Sequence, residues 1–194
     1  MAWYYLNEKQ QESRRDYIQR VKYNEIVCER SKDLTGIIGE GLEKNIQYRF
    51  VTDRSFNAIV VIDYILQQFE ITEIVIAVYR MNLRAVQRLM EIIDNGDIAC
   101  QILLSVFFRE NKKYERWVYE LKAYAEGKNN VVVGFANSHA KVFLAKTKDG
   151  RYIVFEGSGN LSHNERIEQY ILEDNKITYY FHKQWILETI NKDK

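Results

Sequence analysis

The chain contains no proline. Its helices and strands therefore run without the residue that most sharply ends them, and boundaries must come from glycine, asparagine and aspartate. Cysteine is nearly absent too: Cys28 and Cys100 are the only two in 194 residues. That excludes a disulfide-framed secreted scaffold and fits a reducing compartment, so a cytoplasmic location is expected. Histidine occurs three times, at the dispersed positions His139, His163 and His182. None has cysteine or carboxylate company at ligand spacing, so neither a zinc site nor any cofactor is expected. No apolar run approaches the ~20 residues of a membrane span, so no membrane partner is expected. The opening stretch Met1–Glu8 lacks the basic and apolar regions of a signal peptide. The net charge is only +1, so no global field attracts a polyanion, and any such attraction must be local.

What is present is apolar and periodic. Hydrophobic residues make up 46% of the chain, which excludes a disordered protein. The length suits one domain with a full core. Residues 7–31 read as a charged helix with Tyr17, Ile18, Val21 and Cys28 on one side. Its basic residues Arg14, Arg15, Arg20 and Lys22 are either a solvated face or a nucleic-acid contact. The glycines from Gly36 to Gly41 break the pattern. The reading is therefore an N-terminal helical arm over 1–40 and a main domain over 41–194. Thr52–Ser55 offer helix caps before an apolar helix running to about Phe69.

Glu73–Tyr79 is a continuous apolar run, as in a strand covered on both faces. Leu83, Val86, Met90 and Ile93 repeat at helical spacing up to Asn95-Gly96. Ile98–Phe108 reads as a second buried strand, Tyr114–Gly127 as a helix and Val131–Phe135 as a third strand. A strand hairpin follows, then a sixth strand over Ile167–Leu172 and a final helix from Phe181. Strands alternating with helices of this length predict an α/β fold: a mixed, mostly parallel sheet between helical layers.

The chemistry-bearing stretch lies in the hairpin. It reads Ser138-His139-Ala140-Lys141, an apolar strand, a turn at Lys148-Asp149-Gly150, a second apolar strand and Gly157-Ser158-Gly159-Asn160. His139 and Lys141 are two residues apart, so in a strand they share a face. The Gly-Ser-x-Asn element supplies a hydroxyl, an amide and backbone N–H groups. An imidazole, an ammonium and neutral donors together suit an anionic phosphate. In open α/β sheets ligands bind beyond the carboxyl ends of the parallel strands. Arg80 follows the first buried strand there, and Arg109, Lys112 and Lys113 follow the second. They either line a phosphate path or solvate helix-entry loops. Arg84 and Arg88 read as ordinary surface.

This pattern resembles the phospholipase D superfamily, with its His-x-Lys and Gly-Ser-x-Asn half-motifs. The matching residues are His139, Lys141, Gly157, Ser158 and Asn160, with Glu168 placed where that family often has a carboxylate. Two departures stand out: Lys146 occupies the position of the family's Asp, and the hairpin is longer. The resemblance implies a phospholipase D-like fold and a metal-independent phosphodiesterase acting through a phosphohistidine. It implies that His139 attacks or protonates, that Lys141 and Asn160 hold phosphate oxygens, that Ser158 supports them, and that Glu168 orients an imidazole. Gly157, Arg80 and Arg109 are expected at the substrate. The chemistry uses two histidines and the chain has one His-x-Lys, so a homodimer is expected. A nuclease is the leading reading. The alternatives are a non-catalytic nucleic-acid-binding module on the same fold and a hydrolase of phospholipids or small phosphodiesters. Strand alternation places Lys146 on the face opposite His139 and Lys141.

Overall fold

The computed structural model of the chain describes residues 25–30, 41–52, 56–110, 115–161, 163–164 and 167–193. Strands β1 (Glu25–Arg30), β2 (Ile46–Thr52) and β3 (Phe56–Asn57) precede helix α1 (Ile59–Gln68). Next come β4 (Ile71–Val78), α2 (Leu83–Gly96), β5 (Ala99–Ser105), α3 (Val106–Glu110), α4 (Glu115–Glu126) and β6 (Val131–Ala136). The chain ends with β7 (Lys141–Thr147), β8 (Tyr152–Gly157), β9 (His163–Asn164), β10 (Glu168–Asp174) and α5 (Lys176–Lys192).

An eight-stranded sheet has the order β1-β2-β10-β8-β7-β4-β5-β6. β7 and β10 run against the other strands, which all point one way. The sheet is thus mixed, as expected: six of its eight strands share one direction, while four of its seven neighbouring pairs are antiparallel. One face packs on α1, α2 and α4 through Ile62, Ile65, Val86, Leu89, Ile93 and Leu121. The other packs on α5, where Tyr179, Ile186 and Ile190 meet Val75, Ala77, Leu103, Val142, Leu144 and Val154. Burying each such side chain stabilises the fold by about 1.5–3 kcal/mol before entropy is counted. Alternation sorts the strand residues: Val75 and Ala77 face α5, while Ile74, Ile76 and Val78 face the opposite layer. Side-chain caps set α2 and α5, whereas α1 starts after Ala58 with none. Asn82 accepts from the Ala85 N–H at 2.8 Å, and Asn175 accepts from Ile177 and Thr178 at 3.0 and 3.2 Å.

Four expectations need correction. Glu25–Arg30, read as the end of a helix, are a strand parallel to β2, because Ile26 and Val27 sit beside a strand with open pairing groups. The rest of that arm, its basic cluster and Asp53–Ser55 lie outside the described residues, and Thr52, expected among the helix caps, is instead the last residue of β2. β2 itself was not anticipated, although Ile46, Tyr48, Phe50 and Thr52 alternate and are buried. The strand expected to reach Phe108 stops at Ser105, and its last apolar residues turn into α3. There Phe108 packs under α4 against Trp117, with ring centroids 5.4 Å apart.

Candidate functional site

The antiparallel placement of β7 and β10 brings the scattered motif together. Lys141, the first residue of β7, pairs with Val78, the last of β4. Gly157, the last of β8, pairs with Tyr170 near the start of β10. The starts of β7 and β10 therefore lie at the edge where β4, β5, β6, β8 and β2 end. His139, Lys141, Ser158 and Glu168 all stand along that edge.

His139 precedes β7 in a tight turn held by Ser138, whose N–H donates to Ala136 O at 2.8 Å and whose hydroxyl accepts from Ala140 N–H at 3.3 Å. The Lys141 ammonium folds back onto the same residue, 2.8 Å from His139 Nδ1 and 2.7 Å from its carbonyl oxygen. With the ammonium as donor, Nδ1 holds its lone pair and the imidazole proton sits on Nε2. Tyr79 lies beside both: its ring is 4.5 Å from the His139 ring and 5.8 Å from Lys141 Nζ. Burial lowers the pKa of Lys141 from the ordinary lysine value, and the charge of Glu168 partly offsets that.

Ser158 and Glu168 form the second half. The Ser158 hydroxyl donates a short hydrogen bond to Glu168 Oε2 and accepts from the Gln169 N–H at 3.0 Å. The Ser158 N–H donates to Gln169 O, also at 3.0 Å. Ser158 thus ties β8 to β10 as well as facing the groove. Gly157 is required by that closeness: a Cβ there would sit 2.3 Å from Gln169 O and 2.5 Å from Tyr170 Cδ1. Asn160 Oδ1 accepts the Arg80 N–H at 3.2 Å, and Met81 bridges Leu161, so the Gly-Ser-Gly-Asn loop is stapled to the exit of β4. Arg109 points elsewhere. It pairs with Asp193 at 2.7 Å and lies over the Phe135 ring at 5.3 Å, joining α3 to the end of α5. Lys112 and Lys113 lie outside the described residues. Lys146 pairs across the strands with Glu73 and Tyr152 near the far end of β7, five residues and about 17 Å from Lys141. In the hairpin turn Asp149 accepts a hydrogen bond from the Thr147 hydroxyl, and Gly150 at φ 82° closes the turn.

The edge opens into a groove of about 1180 Å³ lined by His139, Lys141, Ser158, Arg49, His182 and Trp185. The last three were not anticipated as site residues. His182 had seemed isolated in sequence, yet α5 lays it into the same groove as His139. Its Nε2 is 3.2 Å from Glu156 Oε2, and its Nδ1 accepts the Trp185 indole N–H at 3.1 Å. The only local signal was the i, i+3 spacing of His182 and Trp185 on one helix side. Among the described residues, no cluster of three or more His, Cys, Asp or Glu side chains is arranged to hold a metal, and no helix is long and apolar enough to cross a membrane.

No family model matches the chain, and no curated protein matches it in sequence. Solved structures do match in fold. Nuc from Salmonella typhimurium, a phospholipase D family member, superposes with a TM-score of 0.55 at 14% identity over 76% of this chain and 97% of its own. NucT from Helicobacter pylori gives 0.51 at 18% identity over 75% and 96%. TrmBL2, an archaeal chromatin protein with a novel mode of DNA binding, gives 0.55 at 14% identity over 96% of this chain, which spans 63% of TrmBL2. The chain has the phospholipase D superfamily fold.

Proposed function

We propose that this phospholipase D-like chain is a metal-independent phosphodiesterase, a homodimeric nuclease that cleaves DNA or RNA through a phosphohistidine. The observation that carries the reading is the meeting of His139 and Lys141 with Ser158 and Glu168 along one sheet edge, built from segments up to 29 residues apart in sequence. The likeness in fold to Nuc and the DNA-binding role of TrmBL2 support it.

The residues divide the work as follows. Lys141 releases His139 and takes a non-bridging phosphate oxygen, joined by the Asn160 amide. The imidazole proton then moves to Nδ1, where a carboxylate, Glu168 of the same or a second copy, accepts it in a hydrogen bond. His139 Nε2 attacks phosphorus, and the bond to the leaving oxygen breaks with its electron pair going to that oxygen. The second copy's His139, as an imidazolium protonated on both nitrogens, gives its Nε2 proton to the leaving oxygen and is left a neutral imidazole. Water then adds to phosphorus, loses a proton to the second imidazole and displaces His139 Nε2. Two copies across a two-fold axis supply both roles.

The test is a screen of single-stranded DNA, duplex DNA and RNA with EDTA present, with light scattering in parallel. Cleavage by a dimer, lost in H139A, is the expected result. A well-folded protein that binds these strands and cleaves none would favour the second reading, a non-catalytic binding module. Two observations support that alternative: an ammonium occupies His139 Nδ1, and the likeness to TrmBL2 covers 96% of this chain.

A further inference from the structure

Arg49 lines the groove of His139 and Lys141 but takes no part in the proposed chemistry, and two buried side chains hold it in place. Its neighbours on β2, Tyr48 and Phe50, belong to the core under α1 and α2. Alternation therefore puts Gln47 and Arg49 on the opposite face of the sheet, the one on which α5 packs. The Gln47 amide oxygen accepts the Arg49 Nε–H at 2.5 Å, and the amide nitrogen donates to Glu173 Oε2 at 2.8 Å. Glu173 lies directly opposite Gln47 on β10. Gln47 is 5% exposed and Glu173 1%, whereas Arg49 is exposed. Burying a carboxylate and an amide costs desolvation, and here the pair fixes one guanidinium by its Nε. Both Nη groups are left without an acceptor among the described residues. Glu156, the groove carboxylate between Arg49 and β7, is engaged by His182 Nε2 at 3.2 Å.

We infer that Arg49, aimed by Gln47 and Glu173, clamps a second phosphate of the substrate strand, several nucleotides from the phosphate held by Lys141. This rests on the nuclease reading. A guanidinium held at Nε presents its two Nη groups as a fixed fork, a geometry that takes two oxygens of one phosphate. Strand register sets the span. Arg49 is level with Ile171, Ile171 with Glu156, and Glu156 with Val142, the neighbour of Lys141. Three strand spacings therefore part Arg49 from β7, about 14 Å. Held by Gln47, the guanidinium is not free to swing across that gap. One phosphodiester cannot touch both cations, whereas a strand of several nucleotides can. The substrate class is then a chain of phosphates rather than a lone one. A small aryl phosphodiester fills the catalytic end and leaves Arg49 empty. Because the contact goes to the backbone, it is indifferent to the bases.

The experiment measures binding by fluorescence anisotropy in an H139N background, which prevents cleavage. The probes are a labelled dinucleotide with one phosphodiester, a single-stranded dodecanucleotide, and an abasic dodecamer with the same phosphates. R49Q removes the cation. R49K keeps the charge but has neither the fork nor the Nε that Gln47 holds. R49Q should weaken both dodecamers about tenfold, the scale of one lost charge-assisted contact, and the dinucleotide by no more than about twofold. Its slope of log affinity against log salt on the dodecamer should be shallower by about 0.7, one phosphate contact on a single strand. R49K should keep the slope of the parent and still lose affinity. Unchanged dodecamer binding in R49Q, an equal loss on the dinucleotide, a loss confined to the base-bearing dodecamer, or full affinity in R49K overturns the clamp while leaving the nuclease reading in place. A protein that binds no strand of either length, while wild type hydrolyses a small phosphodiester, overturns both.

Discussion

Replacing Gly157 by alanine separates a glycine chosen for fit from one chosen for chemistry. The new Cβ would lie 2.3 Å from Gln169 O, a backbone atom that cannot rotate away. β8 and β10 must therefore part. The parting strains the Ser158 N–H to Gln169 O and Gln169 N–H to Ser158 Oγ bonds, both 3.0 Å long. Overpacking costs about 1–3 kcal/mol, and weakening two such bonds adds about 1 kcal/mol more. For a domain of this size each kcal/mol moves Tm by about 2–4 °C, so a fall of roughly 4–16 °C is expected in a thermal melt. Gly41 is the control, since a Cβ there meets nothing within 4 Å and G41A should leave Tm nearly unchanged. A G157A protein that melts within about 2 °C of wild type would refute the packing argument. If it had also lost activity, the glycine would be serving the substrate instead.

In the proposed mechanism Lys141 holds phosphate as a cation, and burial sets its pKa below the ordinary lysine value. Activity should therefore fall at an alkaline pH lower than an exposed lysine would give. E168Q removes the charge that raises this pKa, so the alkaline limb should move to still lower pH; a shift upward in the pH–rate profile would contradict the coupling. Lys146 lies near the far end of β7, so K146A should keep the cleavage rate within about threefold. Arg109 and Asp193 form a partly exposed pair. R109M and D193N should each cost about 1 kcal/mol or less in denaturant unfolding, and the double variant should cost less than the sum of the two.

The sequence exposed the layered α/β order because its strands and helices have unmistakable periods, as in Glu73–Tyr79 and Leu83–Ile93. It exposed the His-x-Lys and Gly-Ser-x-Asn elements because their spacing is local. Two kinds of feature were not legible. Edge strands such as β1 have short, mixed composition, and only pairing with β2 decides their state. Contacts between distant segments leave no local trace. Nothing near Arg109 announces Asp193, and nothing near His182 announces that α5 lays it in the groove of His139. The same holds for Gly157, whose need is set by Gln169 on a different strand.

The central claim is that His139 forms a covalent bond to phosphorus without a metal. Wild-type protein should be incubated with a labelled oligonucleotide in EDTA, quenched with base to preserve the acid-labile P–N bond, and digested for mass spectrometry. A nucleotide adduct on the peptide containing His139, absent from H139A and chased away by time, is the predicted result. Cleavage in EDTA that proceeds at the same rate in H139A, with no adduct on any histidine, would contradict it.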